Sequence, residues 1–334
     1  MRTDALGSGV HAAILGTGGY LPERVVTNRE VCARIDTSEE WVERRSGIRE
    51  RRFAAADETV AVMGHAAGTK ALAAAGVPPD EVDCVIAATM SHLVQAPTAA
   101  TEIADLLGTG ANVAAAFDVN AGCAGFCYAL NLARHMVLAG SARYVLVVGS
   151  ERMSDLVDPT DRTAAFLFGD GAGAVVVGPG ARPGIAPAAW GSDSACGSAI
   201  AQPRPWSCLR DGADPRCSYL EIAGPAVFRW AVTEMGRLAH AALDAAGVRA
   251  GDLAAFVPHQ ANFRITDALV STVDLPPSVV VANDIVDTGN TAAASVPLAM
   301  DRLLSRVPGV RGGLALLVGF GAGLLYAAQV VRLP

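Results

Sequence analysis

No block of lysine and arginine occurs anywhere in this chain. Its 26 basic residues are outnumbered by 33 acidic ones, for a formal net charge of −7. Successive phosphates meet no matching run of cations, which excludes an electrostatic grip on nucleic acid, so any anionic ligand must be held locally. C-x-x-C pairs are missing as well. The seven cysteines (Cys32, Cys84, Cys123, Cys127, Cys196, Cys208, Cys217) form an odd set. Neither a disulfide framework nor a zinc site is therefore expected, and the thiols suit a reducing cytoplasm. A leader core is lacking, because Arg2 and Asp4 are followed only by the short apolar patch Val10 to Leu15. The uncharged stretch Gly312 to Val331 is broken by Gly312, Gly313, Gly319, Gly321 and Gly323. It reads as strand, turn, strand rather than a membrane span. No G-x-S-x-G, H-E-x-x-H or P-loop sequence is present, which weakens hydrolase, zinc-protease and NTPase readings. FGDGAGAVVVG (168–178) lacks the G-x-G-x-x-G spacing and leads into a strand, so it is no nucleotide fingerprint.

What is present is material for a large core: 334 residues, 51% of them hydrophobic, enough for two domains or one two-lobed domain. Short apolar runs alternate with longer alanine-rich segments, the pattern of an α/β layered architecture. Strands are expected at Ala12 to Leu15, Val82 to Ala88, Ala114 to Val119, Tyr144 to Gly149, Ala174 to Val177, Ala254 to Pro258, Val279 to Ala282 and Leu314 to Val318. Helices are expected at Thr59 to Ala75, Pro97 to Leu107, Gly125 to Leu138, Ala226 to Ala246, Asn262 to Thr272 and Ala292 to Leu304. LAAAGVPPDEVDCVIAA (72–88) is echoed by LDAAGVRAGDLAAFVPH (243–259), which suggests a duplication whose halves meet near residue 180. Pro183 to Asp214, rich in Gly, Pro, Ser and Asp, reads as an irregular insertion or lid.

Three segments carry chemistry. In FDVNAGCAGFCYALNLARHMVLAG (117–140) a strand runs at once into a helix beginning near Cys123. A thiol there feels the positive end of the helix dipole, which favours the thiolate and prepares it to attack a thioester. An arbitrary cysteine is more often a small packing residue, but Gly122, Ala124 and Gly125 leave clearance that packing does not require. FVPHQANFRI (256–265) places His259 directly after a strand, where layered α/β folds host functional groups. The other histidines read as structural. DTGNTAAASVPLAM (287–300) puts Asn290 at the mouth of a helix, by itself only a turn and cap signal.

Taken together, these segments resemble β-ketoacyl-acyl carrier protein synthase III, the initiating condensing enzyme of type II fatty acid synthesis and of some aromatic polyketide pathways. The similarity runs from Val10 to the chain end, is weakest in 190–215, and includes DTSEEWVERRSGIRERR (36–52), DPTDR (158–162), FGDGAGAVVVG and GFGAG (319–323). It implies a thiolase-like fold with two βαβαβαββ halves in α-β-α-β-α layers. Residues 1–178 would carry the cysteine and 179–334 the histidine and asparagine, in a cytoplasmic homodimer. By the resemblance, Cys123 is the acylated nucleophile, and His259 with Asn290 stabilises the enolate formed as malonyl-acyl carrier protein loses carbon dioxide. The backbone N–H groups of Cys123 and Ala322 form a second oxyanion hole beside Gly321, and Phe320 walls the malonyl carboxylate. Trp41 and Arg162 would sandwich the adenine of acyl-CoA, with Arg45 and Thr37 near its phosphates. Gly224, Phe228 and Asn262 would line the pantetheine tunnel, and Arg264 and Arg229 would hold an acidic carrier protein. No metal and no cofactor apart from acyl-CoA as substrate is implied.

Some positions depart from the family pattern. Ala96 stands where a larger residue shapes the acyl channel, which implies a primer longer or more branched than acetyl. Asn120 replaces a small residue three positions before the nucleophile. Ser271 and Thr272 stand where some relatives carry lysines, implying weaker carrier docking. An acyltransferase of the same fold that hands its acyl group to a small molecule, and a non-catalytic partner subunit, are the alternatives. Retention of Cys123 speaks against the second.

Overall fold

The computed structural model describes residues 11–109, 114–212, 214 and 218–334. Arg2, Asp4, Val10 and Cys217 lie outside them. The strands are β1 (His11–Tyr20), β2 (Val25–Thr27), β3 (Glu50–Arg52), β4 (Cys84–Ala88), β5 (Ala115–Val119), β6 (Val145–Arg152), β7 (Asp170–Gly180), β8 (Ala189–Ser192), β9 (Ile200–Ala201), β10 (Glu221–Ile222), β11 (Leu253–Pro258), β12 (Val280–Val281), β13 (Leu314–Gly321) and β14 (Leu325–Arg332). The helices are α1 (Asn28–Cys32), α2 (Glu39–Ser46), α3 (Val60–Ala75), α4 (Ala99–Leu107), α5 (Gly125–Leu138), α6 (Gly224–Ala246), α7 (Phe263–Thr272), α8 (Ile285–Thr288) and α9 (Ser295–Arg306).

Local chemistry sets the helix ends. Thr59 caps α3 by accepting from the Val62 N–H, and Gly76 closes it in the left-handed conformation. Thr98 and Gly108 do the same for α4, and Ser38 and Gly47 for α2. Strand periodicity sets the layers. Cys84, Ile86, Ala88, Val145 and Val147 point to one core, while Val85, Ala87, Leu146 and Val148 point to another. In the second sheet Ala315 and Leu317 face inward, and Leu316 and Val318 outward.

One sheet runs β1-β7-β6-β4-β5 and the other β12-β11-β13-β14-β8. From β5 the first sheet pairs parallel, parallel, antiparallel, antiparallel, and from β12 the second sheet repeats that order. The duplication read from 72–88 and 243–259 is therefore real, with β4 and β11 as equivalent strands. Helices α5 and α9 lie between the two sheets in one apolar cluster. Helices α3 and α4 cover the outer face of the first sheet, and α6 and α7 that of the second. This is the α-β-α-β-α layering of the thiolase fold.

Several expectations need correction. Residues 25–52 contain β2, α1, α2 and β3, none of which was expected, because segments this short show no period. Pro183 to Asp214 is not wholly irregular: β8 pairs with β14 and closes the second sheet. Its other described elements are short 3₁₀ turns and β9, which pairs with β10 beyond the segment. Cys208 is disulfide-bonded, against the expectation of free thiols throughout. A bridge requires proximity in the fold, not a C-x-x-C spacing. Cys32, Cys84, Cys123, Cys127 and Cys196 are free.

Close backbone packing holds α9 against the first sheet. A Cβ on Gly149 would lie 2.5 Å from the Ala293 carbonyl oxygen, and one on Gly173 would fall onto the backbone nitrogen of Leu298. Gly173→Ala should cost about 3 kcal/mol through overpacking. Gly309→Ala, with open space around it, should be near neutral. Urea unfolding of the two variants checks the pair.

Candidate active site

Cys123 sits in the tight turn Gly122–Ala124 that opens α5, with Gly122 at φ 51°. The end of β13 is pressed against it. A Cβ on Gly321 would lie 2.7 Å from the Cys123 nitrogen and 3.0 Å from its Sγ. One on Gly122 would lie 3.1 Å from the Ala322 nitrogen. Glycine at these two positions thus lets the Cys123 turn and the Ala322 turn pack directly against each other.

His259 follows β11. Its N–H donates to the Val318 carbonyl at 2.7 Å, which docks it beside β13. The Nδ1 atom lies 2.6 Å from Ser295 Oγ on α9, and the ring meets Phe320 edge-on at 5.2 Å. The residue is 3% exposed, and burial pulls its pKa down to about 3, so the imidazole is neutral at physiological pH. In the tautomer whose Nδ1 accepts from the Ser295 hydroxyl, Nε2 carries the proton and is a donor.

Asn290 follows Gly289, whose φ is 63°. Its N–H donates to the Leu167 carbonyl at 2.8 Å, and its carbonyl accepts from the Gly169 N–H at 3.0 Å. The side-chain Oδ1 accepts from the Ala292 N–H at 2.9 Å. That bond orients the amide, leaving the Nδ2 donors for the cavity.

Cys123, His259, Asn290, Phe320, Gly321 and Ala322 all line one cavity of about 350 Å³. Its apolar end is built by Met90, Met153, Leu167, Phe168 and Leu220, none of which the sequence singled out. Most of this wall packs with Cys123 in one buried cluster. Ile200 reaches the cavity from the segment read as a lid, and Leu220 and Ile222 reach it from beyond that segment. The expectation of a thiol eased toward thiolate is corrected here. Burial, and then the charge of Glu151, pushes the Cys123 thiol up to about 12. Its own N–H acts the other way, and burial dominates.

The remaining expected residues divide. Arg45, Gly224, Phe228, Arg229, Asn262 and Arg264 line the cavity. Asn262 caps α7 through the Arg264 N–H at 3.0 Å and donates to the Arg45 carbonyl at 3.2 Å, while Arg264 lies over Phe228 at 5.3 Å. Trp41, Arg162, Thr37 and Ala96 are not among its walls. Arg162 lies over Trp41 at 5.5 Å. Two stacking contacts of about 3.5 Å each need more room than that, so an adenine can enter only if Arg162 swings away. Thr37 Oγ1 is buried without a partner, and Ala96 is exposed on the loop before α4. Asn120 Oδ1 accepts from the Gly122 N–H at 3.5 Å, which ties it to the nucleophile turn. Among the described residues no cluster of His, Cys, Asp and Glu could hold a metal ion.

The family model described as 3-oxoacyl-[acyl-carrier-protein] synthase III matches residues 117–194, and its C-terminal counterpart matches residues 243–333. The chain is 56% identical over 324 residues to a β-ketoacyl-[acyl-carrier-protein] synthase III of Streptomyces glaucescens, with 97% of each chain covered. The chain belongs to the β-ketoacyl-acyl carrier protein synthase III family. A mycobacterial synthase III from Mycolicibacterium paratuberculosis is 49% identical over 335 residues, covering 100% of this chain and 99% of that one. The priming β-ketosynthase of the R1128 polyketide pathway superposes with a TM-score of 0.93 at 49% identity, covering 97% of this chain and 96% of that one. As a synthase III, this chain is a condensing enzyme of the acyl-transferring class that initiates fatty acid or type II polyketide synthesis.

The buried imidazole makes the synthase acid-sensitive. Above pH 6.5 neither the folded nor the unfolded form of His259 holds a proton. From 6.5 down to about 3 the unfolded chain binds one that the folded site refuses. Stability should therefore fall by about 1.4 kcal/mol per pH unit through that window. His259→Gln should remove this one-proton slope, as read from urea unfolding at a series of pH values.

Proposed function

We propose that the enzyme condenses an acyl-CoA primer with malonyl-acyl carrier protein through an acyl-Cys123 intermediate. The supporting observation is a single cavity lined by a nucleophile at a helix start, a neutral buried imidazole and an amide whose Oδ1 is already engaged. Cys123 Sγ attacks the thioester carbonyl, and the oxyanion rests on the Cys123 and Ala322 N–H groups. The carbon–sulfur bond to CoA breaks, and CoA leaves with the thiol proton. Malonyl-acyl carrier protein then places its thioester oxygen between His259 Nε2–H and Asn290 Nδ2–H. Carbon dioxide leaves beside the apolar ring of Phe320, where a carboxylate is poorly solvated. The enolate carbon attacks the acyl-Cys123 carbonyl, which restores the thiolate and releases a 3-oxoacyl-acyl carrier protein. Two neutral donors suit this task because preorganised dipoles stabilise the developing enolate, whereas an imidazolium would bind the malonyl carboxylate too well.

Arg45, Gly224, Phe228 and Asn262 line the pantetheine path, Trp41, Arg162 and Thr37 act at its outer end, and Arg229 with Arg264 offers charge to an acidic carrier protein. Residues 1–178 and 179–334 are the two functional halves. A homodimer in the cytoplasm fits the half-exposed edge strand β5, where Phe117 stands 36% exposed, and the outward Leu93 and Val94. Ala96 then influences the acyl chain from that contact, while Met90, Met153, Leu220 and Phe168 set the primer size. The donor pair favours condensation over transfer to a small acceptor, which requires no enolate stabilisation.

Mass spectrometry after exposure to acetyl-, isobutyryl- and octanoyl-CoA should find acyl mass on the Cys123 peptide, favouring the longer or branched chains. Cys123→Ala should take none. Addition of malonyl-acyl carrier protein should discharge the wild type with release of carbon dioxide. Asn290→Ala should still load but condense about 10²- to 10³-fold more slowly. Loading of Cys123→Ala, or full-rate condensation by Asn290→Ala, would defeat these assignments.

A further inference from the structure

Glu151 is a fully buried carboxylate with no task in the chemistry above. It stands near the end of β6. Strand alternation turns it away from Ser150, whose hydroxyl donates to the Val60 carbonyl at 2.7 Å on the outer face. On the inner face Glu151 accepts from the Thr89 hydroxyl at 3.1 Å, the Met90 N–H at 3.2 Å and the Ser91 N–H at 3.1 Å. It also accepts from the Ser91 hydroxyl and from the Ala293 N–H at 3.4 Å. Among the described residues no lysine or arginine pairs with it. Its charge is therefore held by neutral donors alone.

The origin of those donors is informative. Met90 lines the cavity and packs with Cys123. Ala293 follows Ala292, which packs with Cys123 and donates to Asn290 Oδ1. A single carboxylate thus joins the wall beside the sulfur to the turn that aims the amide.

We propose that Glu151 is a positioning residue that also governs the ionisation of Cys123, the carboxylate and the thiolate sharing one negative charge in the buried site. The proposal rests on Cys123 being the nucleophile. Burial lifts the Glu151 carboxyl to about 7, and its charge is the second cause raising the thiol. The surroundings offer no competing partner. Thr89 and Ser91, after β4, are neutral donors, as is the Ala293 N–H before α9. The turn opening α5 contributes only the Cys123 thiol. Arg152, next on β6, is engaged with Asp155 and with the Ala55 and Glu58 carbonyls. His259, across the cavity, is neutral above pH 3. A protonated Glu151 lets the sulfur ionise, and an ionised Glu151 keeps the proton on sulfur.

Iodoacetamide provides the test. The thiolate forms a carbon–sulfur bond, iodide leaves and the thiol proton passes to solvent, and the rate is read on the Cys123 peptide across a neutral to alkaline pH series. Glu151→Gln keeps an acceptor oxygen and removes the charge. Its profile should move to lower pH by about one unit, roughly tenfold faster alkylation at a fixed pH below the midpoint. Glu151→Asp, which retains the charge, should keep the wild-type midpoint. A purely structural role would leave the Glu151→Gln midpoint in place, and that result, or a move to higher pH, overturns the proposal. If Glu151→Gln fails to fold, the wild-type profile carries the test: the logarithm of its alkylation rate must level off over about one pH unit as Glu151 ionises near pH 7. A single unbroken slope through that region overturns the proposal equally. Failure of the parent reading looks different, because wild-type Cys123 would then take no acyl group from acyl-CoA.

Discussion

Much of this structure depends on a place where a side chain cannot exist. Gly321 backs onto Cys123 so closely that a Cβ would come within 2.7 Å of the cysteine's own backbone nitrogen. Two residues earlier, a Cβ on Gly319 would stand 3.2 Å from the Ala124 Cα and 3.0 Å from the Cys127 sulfur. Strand β13 of the second sheet therefore lies flat on the first turn of α5, and this contact joins the two halves of the chain. An ordinary side chain at Gly321 or Gly122 would hold the Cys123 turn and the Ala322 turn apart.

The duplication explains where the remaining groups stand. Helices α5 and α9 occupy equivalent places between the sheets, and each is entered through a single tight turn, Gly122–Ala124 in one half and Ala292–Ala294 in the other. Cys123 lies within the first turn, and Asn290 lies just ahead of the second. His259 leaves β11 where Thr89 leaves its counterpart β4. Parallel strands deliver their ends to the same region, and the site forms where the two sets of ends face each other. One half supplies the sulfur and the other supplies the donors. The site has a weakly charged resting state: a neutral imidazole, a thiol held protonated and a carboxyl raised toward neutrality.

Long elements with strong end signals were legible from the residues. Helix α5 begins and ends where the sequence places it, and α3 lies between the threonine and the glycine that cap it. The final strand pair was identified by its glycines. The short elements between residues 25 and 52, β2, β3, α1 and α2, were not visible, because one or two turns establish no period. Strand β8 was hidden in a Gly- and Pro-rich segment, since pairing with β14, not its own composition, makes it a strand. The Cys208 bridge, the placement of Thr37 and Ala96 away from the cavity, and the closed Trp41–Arg162 pair were equally invisible, because each depends on where a loop settles.

By itself the sequence determined the layered class, the duplication and the identity of the three central side chains. These follow from periodicity, from repeated segments and from the resemblance of three motifs to one family. Only the tertiary structure decided the protonation of those groups and what orients them. A pKa is set by how much water is lost and which charges remain nearby, and Ser295, Ala292 and Glu151 reach the site from segments with no local connection to the residues they act on. Burial outweighed the helix start at Cys123 because desolvation acts on the whole charge, whereas the turn's N–H groups offset only part of it.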